Sequence, residues 1–235
     1  MCKKLLFLVL LLGFVNTASA TWVGWDNGGG DRLWITPENW NPDGVPLSTD
    51  SVNFQNIPEG TGPIVDWTCM AEIEHTFITD GTTLTVTGGS LRAGMGSYIM
   101  LGSNQGDKKL ATLEQTGGTV ETLMMCIGNE GPGLLKAYGG TLITNNLEMR
   151  YGTMEGLVDI TEGTIIDYDN VESDLDKINA YIESGKIIAN GGNPGWFVHV
   201  EHDPLNDRNI ITAIPEPATI MLLGLGGLTL IRRKR

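Results

Sequence analysis

One glycine-centred pattern, repeated four times between Gly81 and Asp167, constrains the fold of this chain more than any other feature. Each copy has a Gly-Gly or Glu-Gly pair at its centre, with residues in fixed places on either side. These places are Leu84, Leu113, Leu135 and Val158, then Val86, Gln115, Ala137 and Ile160, and after the pair Leu91, Val120, Leu142 and Ile165. Polar residues lie between the first two sets, at Thr85, Glu114, Lys136 and Asp159. This alternation predicts strands that turn one face inward and the other outward.

The spacing of the copies indicates a stacked repeat. They lie about 22 to 29 residues apart, which is the period of repeats that bury a shared core by stacking. The first three copies carry a second half, with inward residues predicted at Ile99, Met125 and Met149 and then at Leu101, Ile127 and Tyr151. Each coil therefore has two strand-like segments, stacked on the next coil at about 4.8 Å. An antiparallel sandwich with glycine-rich turns is the alternative.

The segment before the repeats is rich in tryptophan. Four of the six tryptophans lie within residues 22–54, at Trp22, Trp25, Trp34 and Trp40. Large aromatic side chains suit a cap, because a solenoid end exposes an apolar cross-section that must be covered. Stacking of these rings on a glycan is the alternative.

The segment after the repeats, residues 171–213, changes from strand to helix periodicity. Ser173 is expected to cap a helix that Gly185 ends. The apolar face of this helix comprises Leu175, Ile178, Tyr181 and Ile182. Strands are predicted to follow over residues 186–189, 196–201 and 209–213, and together these elements form a C-terminal cap.

The N-terminal 20 residues have the pattern of a secretory signal peptide. Lys3 and Lys4 precede an apolar run, and Ala18 and Ala20 supply the small residues of a signal peptidase site. Cleavage after Ala20 would leave two cysteines, Cys69 and Cys126. Whether they pair in a disulfide depends on geometry that the sequence does not give.

The C-terminal end combines three features in order. Pro215-Glu216-Pro217 precedes an apolar run over 218–231, and Arg232, Arg233, Lys234 and Arg235 end the chain. The run would span about 21 Å as a helix, which reaches across a membrane with its flanking residues at the interfaces. The four terminal cations place that end in the cytoplasm.

This composite resembles a PEP-CTERM sorting signal. The resemblance implies that the chain is a substrate of an exosortase in a Gram-negative bacterium whose envelope produces exopolysaccharide. A plain membrane anchor is the alternative. A second resemblance, to the N-terminal start of autotransporter-like β-solenoid surface proteins, rests on Trp34, Asn39-Trp40, Gly44-Val45-Pro46, Asp50 and Val52-Asn53-Phe54; the glycine-threonine repeats resemble the same group.

The predicted fold class is all-β: a short parallel β-solenoid with an N-terminal aromatic cap, a small α/β C-terminal cap and a C-terminal membrane helix. The predicted organisation is a signal peptide (1–20), the cap and first strands (21–80), the repeats (81–170), the C-terminal cap (171–213) and the sorting signal with its transmembrane helix (214–235).

The charge of the chain limits the classes of partner that it is expected to bind. The net charge is −13, and six of the 15 Lys and Arg residues lie at the two ends. Residues 21–215 therefore carry 9 cations against 27 carboxylates, a net charge of about −18. So acidic a body argues against binding to nucleic acid or to an anionic membrane surface. It is expected in a well-solvated secreted protein, and cation binding is the alternative.

Residues that could carry chemistry are few. His199, Glu201 and His202 have the residue types of a metal site, but alternation puts His202 on the opposite face. Asp167 and Asp169, with Asp159 and Glu162 nearby, could hold Ca²⁺ but lack the glycine and distal glutamate of a calcium-binding loop. No catalytic residue and no cofactor other than this optional Ca²⁺ is predicted.

The sequence therefore predicts an exported structural or adhesive protein that is anchored in the envelope or processed by an exosortase, with extracellular polysaccharide as its expected surroundings. A polysaccharide lyase-like β-helix enzyme and a glycan-binding module are the alternatives.

Overall fold

A computed structural model describes residues 21–94, 96–102, 109–149, 156–168 and 172–216. The predicted signal peptide, and the predicted membrane helix over 218–231 with its basic end, lie outside these residues. Within them, no helix has the length and apolar character needed to cross a membrane.

The described residues form 18 strands and one α-helix, α1 (Glu172–Glu183). The strands are β1 (Trp22–Trp25), β2 (Trp40–Asn41), β3 (Ser51–Phe54), β4 (Ile64–Val65), β5 (Met70–Ile73), β6 (Thr76–Ile78), β7 (Thr83–Val86), β8 (Ser90–Ala93), β9 (Tyr98–Leu101), β10 (Ala111–Thr122), β11 (Met124–Ile127), β12 (Gly133–Thr144), β13 (Leu147–Glu148), β14 (Gly156–Ile160), β15 (Thr164–Asp167), β16 (Ile187–Ala189), β17 (Trp196–Asp203) and β18 (Arg208–Pro215). Short 3₁₀ helices cover Pro37–Asn39 and Asn190–Gly192.

The strands wind into a β-solenoid of about four turns, so the predicted architecture is confirmed. Sheet A contains seven strands in the order β13-β11-β9-β6-β3-β1-β2. Sheet B contains the other eleven strands. Neighbours in the repeats pair in parallel, which is the consequence of stacking one coil on the next.

The register of sheet B is the predicted one. Leu113 pairs with Leu84 on one side and with Leu135 on the other, and Val158 follows in the same column. All four side chains are fully buried. Glu114 pairs in the outward column with Thr85 and Lys136. The repeated columns are therefore the core of the solenoid and its outer face.

Gln115 is the polar member of an inward column. Its Nε2 donates hydrogen bonds to the carbonyl oxygens of Gly118, at 3.1 Å, and Thr141, at 3.0 Å. Because the side-chain amide bonds to two main-chain carbonyls, burial of this polar residue is partly compensated.

The predicted register of the third copy in sheet A is wrong by two residues. Met125 pairs with Leu147 rather than with Met149, and Cys126 pairs with Glu148. The preceding corner fixes this pairing, because Thr122 stacks on Thr144. The hydroxyl of each threonine donates to the carbonyl oxygen two residues on, at 3.1 Å in both coils. Since the two corners have the same geometry, the third residue after each must stack on its counterpart.

The glycine pair is a bend within a continuous strand. β10 and β12 each run for 12 residues through the pair, so each of these coils has three straight segments rather than the two predicted. Gly118 and Gly140 have φ values of +66° and +71°, which favour glycine. A Cβ at Gly118 would lie 2.6 Å from the carbonyl oxygen of Gly88 in the neighbouring coil. Glycine is therefore required here both for conformation and for the close approach of two backbones.

Aromatic residues cover the N-terminal end of the core. The rings of Trp25, Trp34 and Trp40 pack edge-on, with centroids 4.9 Å apart for Trp25 and Trp40 and 4.7 Å for Trp34 and Trp40. Trp40 Nε1 donates to the carbonyl oxygen of Trp34 at 2.8 Å, and Trp25 Nε1 donates to that of Thr61 at 2.9 Å. The rings thus bury large apolar area while these two indole N–H groups keep a partner.

Helix α1 and the hairpin of β17 and β18 lie at the other end. The helix starts at Glu172, so Ser173 lies inside its first turn rather than at the predicted N-cap. The helix ends at Gly185 as predicted, and this glycine has a φ of +73°. Gly185 N donates to the carbonyl oxygen of Ile182, and Lys186 N donates to that of Tyr181 at 2.8 Å. Ile178 is fully buried, and β18 pairs antiparallel with β15. The parallel stack therefore ends in antiparallel pairing.

The two cysteines are both buried and are not joined in a disulfide. Burial, followed by the charge of Asp66, raises the pKa of the Cys69 thiol to about 11. Cys126 belongs to an outward column, where it pairs with Met100, but is only 1% exposed.

Substitution of Gly118 by alanine should destabilise the protein more than the same change at Gly60. Gly60 also has a positive φ, of +79°, but its Cβ would meet no atom within 4 Å. Gly60→Ala should cost about 1–2 kcal/mol from conformation alone. Gly118→Ala should cost at least about 2 kcal/mol more, because its Cβ overlaps a neighbouring backbone. Unfolding in urea measures both, and equal losses would contradict the close stacking at this corner.

Candidate functional site

The last strand leads directly into the predicted sorting residues. Pro215 is the final residue of β18 and pairs with Trp196 of β17. Glu216 N then donates to the carbonyl oxygen of Gly195 at 2.7 Å. The first two residues of the Pro-Glu-Pro sequence are thus part of the folded hairpin, whereas Pro217 and the four basic residues Arg232, Arg233, Lys234 and Arg235 lie outside the described part of the chain.

This junction coincides with a family match. Residues 213–235 match the PEP-CTERM protein-sorting motif, so the match begins within β18. Comparison with curated proteins and with solved structures gives no match. Fold and motif together define a class, that of exported β-solenoid proteins of the cell surface. More particularly, the motif is the recognition signal for exosortase, and it marks the chain as a protein that is anchored in a membrane before exosortase processes it.

A second cluster lies on the outward face of sheet B. Lys136 Nζ lies 2.9 Å from Glu114 Oε2, and each side chain is 30% exposed. The Tyr138 hydroxyl donates to Asp159 Oδ2 at 2.8 Å, and Gly191 N donates to Asp159 Oδ1 at 2.8 Å. A surface pocket of about 420 Å³ adjoins the cluster, lined by Tyr138, Asp159, Thr161, Asn190, Gly191 and Asn193.

The ionisable side chains of this cluster are paired with one another, Lys136 with Glu114 and Tyr138 with Asp159. Desolvation, the hydrogen bond to Asp159 and the charges of Asp159 and Glu114 raise the pKa of Tyr138 to about 12. The phenol therefore keeps its proton at neutral pH and acts as a donor. Both oxygens of Asp159 accept hydrogen bonds, one of them from the turn that follows β16. The cluster thus holds the C-terminal cap against the coil.

The residues considered as metal ligands do not converge in the described ranges. His199 and Glu201 are exposed on β17, and His202 Nδ1 lies 3.2 Å from Asn209 Oδ1. Asp167 is fully buried in an inward column, where it pairs with Thr144 and Asn209. Glu162 is exposed, and Asp169 lies outside the described residues. No three His, Cys, Asp or Glu side chains group as metal ligands in the part of the chain that is described.

The four tryptophans proposed for glycan stacking differ in their exposure to solvent. Trp25, Trp34 and Trp40 are at most 5% exposed, so their rings belong to the cap and not to a ligand surface. Trp22 is 61% exposed on the outward face of sheet A, and glycan stacking is therefore open to Trp22 alone among them.

Sequence reasoning missed the neighbours of Trp22. The Trp22 ring lies 5.4 Å from that of Phe77, and Phe77 lies 5.3 Å from Tyr98, which stacks on His75 at 4.0 Å. These residues come from β1, β6 and β9 and their flanks, far apart in sequence. Extension of the second-half pattern to Thr76-Phe77-Ile78 would have placed Phe77 beside Met100, its observed partner.

Alkaline pH should weaken the fold through Tyr138. Because the pKa of Tyr138 is raised above its ordinary value of 10 to about 12, its contribution to stability is present below pH 10 and is lost as the pH rises towards 12. Tyr138→Phe should remove this part of the pH dependence of the free energy of unfolding. It should also cost about 0.5–1.5 kcal/mol at pH 7, through the lost hydrogen bond.

Urea unfolding between pH 8 and pH 11 measures this slope. Tyr168→Phe is the matched control, since Tyr168 is 37% exposed and directly follows β15 of the same sheet. It should leave the slope in place, and an unchanged slope in Tyr138→Phe would contradict the role of the Tyr138–Asp159 hydrogen bond.

Proposed function

We propose that this chain is a structural or adhesive β-solenoid of the cell surface or extracellular matrix of a Gram-negative bacterium, where it is associated with exopolysaccharide. The observation that carries the proposal is the position of the sorting motif, which begins in the last strand of a domain that is capped at both ends. The sorting signal follows a complete domain without a linker, which suits a protein that reaches the cell surface as a single domain.

The two ends of the chain would act in sequence. Signal peptidase cleaves after Ala20, and the segment over 218–231 then holds the exported chain in the inner membrane with Arg232–Arg235 in the cytoplasm. Exosortase next processes the chain at or beside Pro215-Glu216-Pro217. The predicted helix is short and contains Gly224, Gly226 and Gly227, which suits a transient anchor better than a permanent one.

The body of the protein supports a scaffold role. Two pairs of charged side chains lie on the outward face of sheet B, Glu114 with Lys136 and Arg92 with Glu121. Surface ion pairs of this kind contribute little to stability, but they leave neither partner free for a substrate. We therefore propose a protein without enzymatic activity or cofactor.

One observation favours the enzyme alternative. Glu114, Lys136, Tyr138 and Asp159 approach one another on one face, and a lyase needs carboxylates, a cation and a base in such an arrangement. Its weakness is that the phenol of Tyr138 is protonated at neutral pH, whereas a general base must be unprotonated to act. Tyr138, with its pKa of about 12, is a poor acceptor of a proton from a sugar carbon.

Replacement of Pro215, Glu216 and Pro217 by alanine should prevent processing. Full-length protein should then stay in the membrane fraction, whereas the wild type should be released with a mass that ends near Pro215. The control is alanine at Asp203, Asn206 and Asp207, at the end of β17 and in the turn that joins it to β18, which should be processed normally.

Intact-mass measurement of surface material from the native host decides the question. Mature protein should begin near Thr21, and a host without exosortase should retain the wild type in its membrane. A mass that still includes Arg235 would mean that the segment is an ordinary anchor.

The proposal also predicts no cleavage of polysaccharides. Acidic and neutral polysaccharides should remain intact with the purified protein, with or without added Ca²⁺. An unsaturated uronic product, detected by its ultraviolet absorbance and lost in Lys136→Met, would replace the scaffold role with the lyase alternative.

A further inference from the structure

Trp22 presents its ring to solvent beside a gap in the outward face of sheet A. The gap follows from the column next to Trp22, in which Gly24 pairs with Asn53 and Asn53 with Phe77. Because Gly24 has no side chain, the space over Asn53 is left open. A pocket of about 320 Å³ results, lined by Trp22, Val23, Gly24, Trp25, Asn53 and Gln55.

The walls of this pocket have a distinctive chemistry. None of its six lining residues is charged, although the chain as a whole has a net charge of −13. The Oδ1 atom of Asn53 is buried and has no hydrogen-bond partner among the described residues. A buried amide oxygen without a partner is costly, and a donor supplied by a ligand would remove that cost.

The ligand class follows from these groups. We propose that this pocket binds a neutral polysaccharide, with one sugar ring stacked on Trp22 and its hydroxyl groups bonded to the amides of Asn53 and Gln55. A pyranose has an apolar C–H face and hydroxyls on its edge, and it therefore matches a flat aromatic ring flanked by amides. An anionic glycan would be repelled by the acidic body.

The surface continues beyond the pocket in the direction of the solenoid axis. Phe77 lies 5.4 Å from Trp22, and Tyr98 lies 5.3 Å from Phe77. Both side chains are half-buried, on successive strands of sheet A. Strands in a sheet are about 4.8 Å apart, so the row of rings runs across several coils. Such a row suits an extended chain of sugars better than a single one.

This inference rests on the proposed association with polysaccharide, and it assigns that association to a surface. Two variants test it in the full-length protein. Trp22→Ala removes the exposed ring. Gly24→Val fills the gap at a strand position without positive φ, where the nearest atom to the new Cβ is the carbonyl oxygen of Asn41 at 3.9 Å. The control is Trp67→Ala, which removes a tryptophan that is 82% exposed outside this surface.

Affinity electrophoresis through gels that contain a β-glucan, a mannan, a xylan or an α-glucan measures binding, with polygalacturonate as the anionic comparison. The wild type and Trp67→Ala should be retarded by at least one neutral polysaccharide and not by polygalacturonate. Trp22→Ala and Gly24→Val should each bind at least about tenfold more weakly, as expected for loss of a central aromatic anchor. Unfolding midpoints equal to that of the wild type would show that both variants fold.

Three results would overturn the proposal: no retardation of the wild type by any neutral polysaccharide, retardation that survives both Trp22→Ala and Gly24→Val, or loss of a dimer in Trp22→Ala with no effect on glycan binding. The last would assign the surface to a second copy of the chain. Because binding is measured on purified protein, its failure leaves processing by exosortase untouched, and the mass measurement tests that separately.

Discussion

The close approach of main chains at the glycine bends is the interaction on which the rest of this structure depends. Carbonyl oxygens of one coil lie where a side chain of the next coil would have to be, as at Gly118 above Gly88. The bends let each long strand pass from one flat segment to the next without losing its partners on the neighbouring coils. Apolar columns can then align, because the backbone has already fixed which residues face one another. The hydrophobic core is in this sense a consequence of the corner geometry, and its columns need only be apolar and of suitable size.

A stack of this kind has two ends, and each is covered in a different way. The N-terminal end is covered by rings, since three buried indoles and Phe54 lie against the first coils. The C-terminal end is covered by helix α1 and by antiparallel pairing of β18 with β15. The change from parallel to antiparallel pairing prevents a further coil from stacking in the same manner. Edge strands that could pair with another chain are a liability in exported proteins, and both ends reduce it.

Much of this architecture could be predicted from the sequence, because a repeat displays the same column several times. The inward position of Leu113 can be predicted only because Leu84 and Leu135 occupy the same place in other copies. The predicted column that continues from Met125 to Met149 is wrong, because the corner at Thr144 determines the pairing of Leu147 with Met125. The surface around Trp22 could not be predicted, since its parts belong to strands whose stacking order had to be known first. The hydrogen bonds of Asp159 likewise join the repeats to a turn 32 residues away.

The hydrogen bond from Glu216 N to Gly195 has a mechanical consequence. Sorting signals are commonly imagined at the end of a loose tether, but here the strand and the matched signal share residues 213–215. A cut beside Pro215 leaves a new C-terminus held in the hairpin, with no slack between the domain and whatever is joined there. The axis of the solenoid is then fixed relative to its point of attachment. If the processed chain is attached at this end, it would stand on its support as a rigid post, and a load on one coil would pass through main-chain hydrogen bonds to the base.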